Sequence, residues 1–286
     1  MQEHLHHIVA KIKKIELSIR RNVFNELKGN YRSFFKGSGL EFTALREYQY
    51  GDDVRYIDWM ASAKGHGVFL KEYKEERELS VYILLDMSAS MAYPSMQKWQ
   101  TAREIAAVLM WLSLRERCEV TLLGAQTTAP AVFPALRKHH ALMAALERLW
   151  GYAPAQEDAY FSWQQACRRL RRHSVVIVVS DFIHPLRQFR DLGALLSFHE
   201  LYLVHLFDES HYSLPPVGVA PAKALEAPVR QYLYFNKKQE REAYRRFFEQ
   251  RCRHLDALVK RGPARIAHVH TGRPYERALS QLFIQL

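Results

Sequence analysis

The sequence has little cysteine and no long apolar run. Its three cysteines, Cys118, Cys167 and Cys252, are widely spaced and odd in number, so they indicate neither a disulfide framework nor a metal-binding spacing. We expect each cysteine to serve as a small buried apolar side chain. No apolar run approaches the roughly 20 residues that span a bilayer. The first residues also lack the basic-then-apolar order of a signal peptide. These absences predict a protein of the reducing cytoplasm.

The sequence also lacks the short motifs of several enzyme classes. It has no Gly-x-x-x-x-Gly-Lys-Ser/Thr phosphate loop, so we do not expect it to hydrolyse ATP itself, and no Gly-x-Ser-x-Gly elbow around a serine. A phosphatase of the aspartyl-phosphate type needs a second aspartate two residues after the first, but Ser88 stands two residues after Asp86. We therefore predict that the protein is not an enzyme, and keep a metal-dependent phosphohydrolase as a less favoured alternative.

Basic residues outnumber acidic ones and give a formal net charge of +11. They are dispersed as pairs and short runs, which are usually solvated helix faces, so we predict no nucleic-acid partner. Between residues 3 and 28, apolar residues recur every three to four positions among lysines and arginines, which predicts an amphipathic helix. Such a helix can dock on the protein body or a partner helix. Alternatively, it can bind an anionic membrane surface and make the protein a membrane-peripheral scaffold.

Short apolar strands alternate with helices along most of the chain. We predict an N-terminal amphipathic helix at residues 1–30, an irregular extension with short strands at 31–75, and an α/β domain at 76–286. Nearly continuous apolar strands separated by helices predict a mostly parallel sheet with helices on both faces. The stretch 214–228, rich in proline and glycine, is interpreted as a surface loop or insertion. The predicted core strands are 81–85, 119–123, 174–180, 201–207 and 264–269, and the helices are 98–114, 137–150, 161–172, 185–196 and 237–260.

Two carboxylates and two hydroxyls follow the ends of two predicted core strands. Asp86, Ser88 and Ser90 come directly after one strand, and Asp181 follows another. Ligands of open parallel sheets bind beyond the carboxyl ends of the strands, so these side chains converge if the two strands are adjacent. Hard oxygen ligands suit Mg²⁺, Mn²⁺ or Ca²⁺ rather than zinc, and a divalent ion relieves the repulsion between the carboxylates. The alternative is that Asp86 only caps the segment after it and Asp181 only caps the next helix.

The pattern Asp86-x-Ser88-x-Ser90, together with Asp181, resembles the metal-ion-dependent adhesion site of the von Willebrand factor A domain. The run at residues 51–59, Gly-Asp-Asp-Val-Arg-Tyr-Ile-Asp-Trp, resembles the bacterial family catalogued as domain of unknown function 58. This resemblance implies a von Willebrand factor A-like, Rossmann-like fold. It also implies a protein-binding role as partner of a MoxR-type AAA+ ATPase, in chaperone-like assembly or maturation of a client protein.

The resemblance further implies that the four strand-end side chains hold Mg²⁺, or Mn²⁺ or Ca²⁺, and that an acidic residue of the partner completes the coordination. The adhesion site usually takes an additional threonine ligand. The corresponding stretch, residues 156–160, contains none. Glu157 or Asp158 could substitute as an oxygen ligand, or water could fill the position.

The run at residues 51–59 has two interpretations. As a functional surface it would dock the ATPase through Asp52, Asp53, Arg55, Asp58 and Trp59. As a structural element, its opposite charges would pair with one another to order the loop while its aromatic side chains pack on the domain.

Overall fold

The computed structural model describes residues 40–65, 67–75, 79–125, 131–154, 167–183, 188–209, 212, 218–223, 230–234 and 236–283. The predicted helix at residues 1–30, the first half of the predicted helix at 161–172 (residues 161–166), and Glu157 and Asp158 lie outside the described residues. The described chain forms two compact units, one within Arg32–Glu78 and the other from Leu79 onward.

The smaller unit is built on an antiparallel pair of strands, β1 (Leu40–Glu47) and β2 (Phe69–Glu75). A 3₁₀ turn at Val54–Tyr56 and a short helix, α1 (Trp59–Lys64), connect them. Strand β2 contains residues 71–75, the first part of a mostly charged run at 71–78.

The larger unit alternates strands and helices as the sequence predicted. Its elements in chain order are β3 (Ser80–Asp86), α2 (Gln97–Arg115), β4 (Glu119–Ala125), β5 (Ala131–Val132), α3 (His139–Gly151), β6 (Ser174–Ser180), α4 (Gln188–Leu195), β7 (His199–Phe207), β8 (Val219–Lys223), β9 (Arg230–Tyr234), α5 (Lys238–Val259), β10 (Ala264–His270) and α6 (Glu276–Phe283).

Six of these strands form one sheet in the order β10-β7-β6-β3-β4-β5. All neighbours are parallel except β5, which runs antiparallel to β4. If the six strands are numbered 1 to 6 in chain order, starting with β3, their order across the sheet is 3-2-1-4-5-6. This is the doubly wound order, which reverses between β3 and β6. The topology confirms the predicted α/β class with a mostly parallel sheet.

Both faces of the sheet are covered, which explains why its central strands are apolar at nearly every position. Every residue of β6 is buried. On one face, leucines of α4 and α5 pack with alternate residues of β3, β6 and β7 in a single core cluster. On the other face, the rings of Tyr202 from β7 and Phe283 from α6 lie 5.2 Å apart. Helix α2 carries a long buried stripe as well.

The interpretation of residues 214–228 as a loop is wrong at 219–223, where β8 pairs with β9 in a two-stranded antiparallel sheet. Pro221 lies opposite Tyr232 in this pair. Proline donates no backbone hydrogen bond but is tolerated in a ribbon whose outer edges need no partner. The proline and glycine content therefore concealed a strand.

No helix in the described part of the chain combines the length and the apolar composition that a bilayer span requires.

Candidate metal-binding site

The two central strands bring the predicted ligands to one edge of the sheet. Strands β3 and β6 are parallel neighbours, and Leu85 lies opposite Val179. Asp86 ends β3 and Asp181 directly follows β6. Both carboxylates therefore stand beyond the carboxyl ends of the strands, at the point where the strand order reverses and open α/β sheets usually bind ligands.

All four predicted metal ligands, Asp86, Ser88, Ser90 and Asp181, are buried and lie within one hydrogen-bonded cluster. The Oγ atoms of the two serines are 3.1 Å apart. Ser90 Oγ donates to Asp181 Oδ1 at 3.2 Å and thereby joins the two strand ends. A 3₁₀ turn at Ala89–Ala92 places Ser90 there. The convergence that the sequence predicted is therefore present, while metal binding by these residues stays a prediction.

Each aspartate also orders the backbone that follows it. The N–H of Ser88 donates to Asp86 Oδ1 at 2.9 Å, and the N–H of Ile183 donates to Asp181 Oδ1 at 3.2 Å. These are Asx-type turns, in which each carboxylate caps the backbone N–H two residues on; capping of the next helix by Asp181 stays a prediction. The second oxygen of Asp86 accepts a 2.5 Å hydrogen bond from Ser180 Oγ. Local capping and convergence thus coexist in the same side chains.

Sequence reasoning missed a fifth member of the cluster, Lys98. Its Nζ donates to Asp181 Oδ2 at 2.9 Å and to the carbonyl of Ser90 at 3.2 Å, and its side chain is almost fully buried. Lysine usually belongs to a solvated helix face. Helical periodicity was the available signal, because Lys98 lies on α2 one turn before the buried Ala102 and two turns before the buried Ile105.

The donor atoms of this cluster fit a hard divalent ion. They are carboxylate and hydroxyl oxygens, which match Mg²⁺, Mn²⁺ or Ca²⁺. Two carboxylates and one ammonium leave one net negative charge, so a cation is still attracted. The Lys98 ammonium, however, already contacts one oxygen of Asp181. A metal here must share Asp181 with a lysine, which lowers the affinity expected from the oxygen set alone.

The charged residues of the run at 51–59 are engaged in local structure. Arg46 donates to both oxygens of Asp52 at 2.7 Å, and these hydrogen bonds lower the pKa of Asp52 to about 2. Arg55 pairs likewise with Asp53 and lowers its pKa to about 2. Asp58 accepts from two backbone N–H groups at the start of α1, which together with nearby Lys71 lower its pKa.

Trp59 differs from these charged residues because its side chain is not packed into the local structure: the residue is 68% exposed. Asp52 pairs with an arginine upstream of the run rather than with a neighbour inside it. The interpretation that the aromatic side chains pack on the domain is therefore wrong for Trp59. The interpretation that opposite charges order the loop agrees with the contacts of Asp53 and Arg55.

The model of the family described as "Protein of unknown function DUF58" matches residues 44–254. The uncharacterized proteins Mb1516 of Mycobacterium bovis and Rv1480 of Mycobacterium tuberculosis are each 28% identical to this chain over 217 residues. The aligned part covers 74% of this chain and 68% of each of those proteins.

Among solved structures, the chain is similar to a von Willebrand factor type A protein from Catenulispora acidiphila, at 14% identity and a TM-score of 0.39. That match covers 74% of this chain and 42% of the other, so the chain spans less than half of that protein. An aerotolerance-related membrane protein from Bacteroides fragilis matches at 14% identity and a TM-score of 0.39, over 72% of this chain and 96% of its own. The strand order, rather than these scores, identifies the fold as a doubly wound α/β domain.

Proposed function

Because this chain belongs to the family of proteins of unknown function DUF58, we propose that it is a protein-binding module with a cation-assisted site at its strand ends. The partner is a MoxR-type AAA+ ATPase, and the pair acts in chaperone-like assembly or maturation of a client protein. The observation that carries the proposal is the buried cluster of two carboxylates and two hydroxyls at the point where the strand order reverses.

The charge of the cluster supports an acidic partner group. Asp86, Asp181 and Lys98 together carry a net charge of −1, so a bound divalent ion would give the site a net charge of +1. A single carboxylate of the partner would then neutralise it. When bound, the ion would supply an open coordination position for that carboxylate oxygen. Ser88 and Ser90 would contact the ion, and Ser180 would hold Asp86 in place through its hydrogen bond.

Lys98 has a positioning role in this proposal. Its ammonium binds Asp181 Oδ2 while Ser90 binds Asp181 Oδ1. Asp181 is thus held from both sides and would reach the ion through one oxygen or through a water molecule. A buried ion pair is weak evidence for added stability, and in this proposal its role is to order the site.

The smaller unit supplies a second candidate contact for the ATPase. Trp59 and Met60 are both largely exposed, and tryptophan is enriched among the residues that contribute most to protein interfaces. Asp52, Asp53, Arg55 and Asp58 would hold this segment in shape. We place the protein in the cytoplasm, where its three cysteines, all of them outside disulfides, would stay reduced. In this proposal the protein has no catalytic activity of its own.

The test is binding of a MoxR-type ATPase from the same genome, measured in Mg²⁺ and in EDTA. We expect EDTA and Ser90→Ala each to weaken binding by about tenfold or more, which is at least about 1.4 kcal/mol. Ser113→Ala is the matched control, because Ser113 is a buried serine whose hydroxyl donates within α2. Equal affinity in Mg²⁺ and EDTA, with no effect of Ser90→Ala, would overturn the metal-assisted contact.

The same preparation addresses the two alternatives. Flotation with anionic vesicles that is lost when residues 1–30 are deleted would favour a membrane-peripheral scaffold. Turnover of a generic phosphoester with Mg²⁺ or Mn²⁺ that disappears in Ser90→Ala would favour a phosphohydrolase.

A further inference from the structure

A second cluster of ligand-type side chains lies on β7 and β10, the two strands at one edge of the sheet. His205 on β7 and His268 on β10 are register partners on neighbouring parallel strands, and their Nδ1 atoms are 2.9 Å apart. Cys252 on α5 completes the group. One ligand atom from each of the three residues lies within 4.8 Å of the other two. Three separate elements therefore deliver two imidazoles and one thiol to one point.

The packing of the larger unit explains this convergence. Side chains at alternate positions of a strand share a face, so His205 lies on the same face of β7 as Leu201 and Leu203. Those leucines belong to the core cluster that contains Leu255 of α5. Cys252 precedes Leu255 by about one helical turn and so belongs to the same side of α5. The cluster is thus held by a packed helix and two paired strands, with no loop contributing to it.

The donor atoms of these three residues differ from the oxygen donors of the cluster around Asp86 and Asp181. Imidazole nitrogen and thiolate sulfur are borderline to soft ligands, which bind Zn²⁺ and related transition metals and discriminate against Mg²⁺. Three protein ligands are the number found when a fourth position is kept for water or another molecule. From this donor set and its geometry, we propose that His205, Cys252 and His268 form a binding site for Zn²⁺.

A carboxylate outside the ligand set supports the assignment. Asp256 Oδ1 lies 3.4 Å from His268 Nε2, one helical turn beyond Cys252. Histidine ligands of zinc commonly donate their second ring N–H to a carboxylate, which fixes the tautomer and orients the ring. In this arrangement Asp256 accepts a hydrogen bond from Nε2–H of His268, which leaves the Nδ1 lone pair for the metal.

Metal binding at this site requires loss of the Cys252 thiol proton and a route for the ion from solvent. Tyr212 OH lies 3.2 Å from Cys252 Sγ. Binding of Zn²⁺ displaces the thiol proton, which leaves to solvent as the zinc–sulfur bond forms. His268 is partly exposed, which gives the ion a route from solvent.

Cobalt is the probe for this site, because Co²⁺ takes the place of Zn²⁺ and shows a thiolate-to-metal charge-transfer band. Titration of the EDTA-treated full chain should produce this band with saturation at one equivalent, and Zn²⁺ should abolish it. Cys252→Ser should lose the band, whereas Cys167→Ser should retain it. Ser90→Ala should also retain it, because the oxygen cluster contains no thiolate. Absence of the band in the unaltered chain, or its persistence in Cys252→Ser, would overturn the site.

Affinity for Zn²⁺ separates the roles of the other residues. His268→Ala should abolish measurable Zn²⁺ binding, while His254→Ala, an exposed histidine of α5, should leave it unchanged. Asp256→Asn should weaken it by about 10- to 100-fold, the usual effect of losing a carboxylate that supports a ligand. If Cys252→Ser does not fold, protection of Cys252 from alkylation by Zn²⁺ in the unaltered chain decides the question, and equal alkylation with and without Zn²⁺ would refute the proposal.

Discussion

Two ion pairs of this protein have nearly the same length but very different surroundings. Lys98 Nζ and Asp181 Oδ2 are 2.9 Å apart, and their side chains are 1% and 0% exposed. Arg46 and Asp52 approach to 2.7 Å, with 42% and 22% of their side chains exposed. Exposed pairs contribute little to stability because water already solvates both charges. In a buried pair each charge depends on its partner, and removing one partner leaves the other unsatisfied.

The comparison shows that burial, rather than contact distance, decides what an ion pair does. The exposed pair shapes a turn of the smaller unit, where Asp52 also accepts from the N–H of Gln49. The buried pair balances charge in a cluster that contains a second buried aspartate, Asp86. Replacing one partner at a time is the direct way to test this contrast.

The largest effect is expected for Lys98→Met in EDTA. Loss of the Lys98 ammonium removes the positive charge paired with buried Asp181, and we expect the free energy of unfolding of the larger unit to fall by about 3–5 kcal/mol. Millimolar Mg²⁺ should restore part of this loss because it supplies the missing positive charge. Denaturant titration in EDTA and in Mg²⁺ measures both quantities.

Lys71→Met is the control for this experiment, because Lys71 forms a 3.6 Å pair with Asp58 at partly exposed positions. It should have little effect and no dependence on Mg²⁺. If Lys98→Met were equally stable with and without Mg²⁺, the cluster would not be a site for divalent ions.

An intermediate effect is expected from a double-mutant cycle on the buried pair. Asp181→Asn combined with Lys98→Met removes both charges, so the double variant should be less destabilised than the sum of the two single variants. Contacting residues usually show coupling free energies of about 0.5–3 kcal/mol. Unfolding of the four proteins in EDTA provides the measurement. Additive losses would mean that the two side chains contribute independently, against the observed contact.

The smallest effect is expected for the exposed pair and is visible mainly as a titration. Hydrogen bonds from Arg46 lower the pKa of Asp52 from its ordinary value of 3.8 to about 2. A lowered carboxyl pKa stabilises the folded state above the ordinary pKa, so this contribution is lost as the pH falls from about 4 to about 2. Arg46→Ala should return the pKa of Asp52 toward its ordinary value, as followed by carboxyl ¹³C shifts.

Asp53 is an internal reference for that titration, because it pairs with Arg55 and should still titrate near 2 when Arg46 is replaced. An unaltered protein in which Asp52 titrates at its ordinary pKa would show that the Arg46 contact does not persist in solution.

Sequence patterns were sufficient for the elements whose apolar period is unambiguous. The runs that became β3 and β6 predicted buried parallel strands, and hence the common edge at which Asp86 and Asp181 stand. Sequence patterns failed where a residue departs from its usual environment. Lys98 is buried although lysine is normally solvated, and Pro221 lies in a strand although proline usually ends one.

The group of His205, Cys252 and His268 was invisible for a different reason. Its members are far apart along the chain and match no short spacing, so the cysteine was interpreted as a small apolar side chain. Only the pairing of β7 with β10, and the packing of α5 against that face, brings the three ligand atoms together.

The amino-acid sequence by itself determined the class of fold and the chemistry available at the strand ends, because hydrophobic periodicity and residue type are local properties. The tertiary structure decided which charge accompanies the carboxylates, and which imidazoles meet the thiol. Those contacts depend on strand order and helix packing, which arise from the burial of apolar surface across the whole domain rather than from neighbours in the chain.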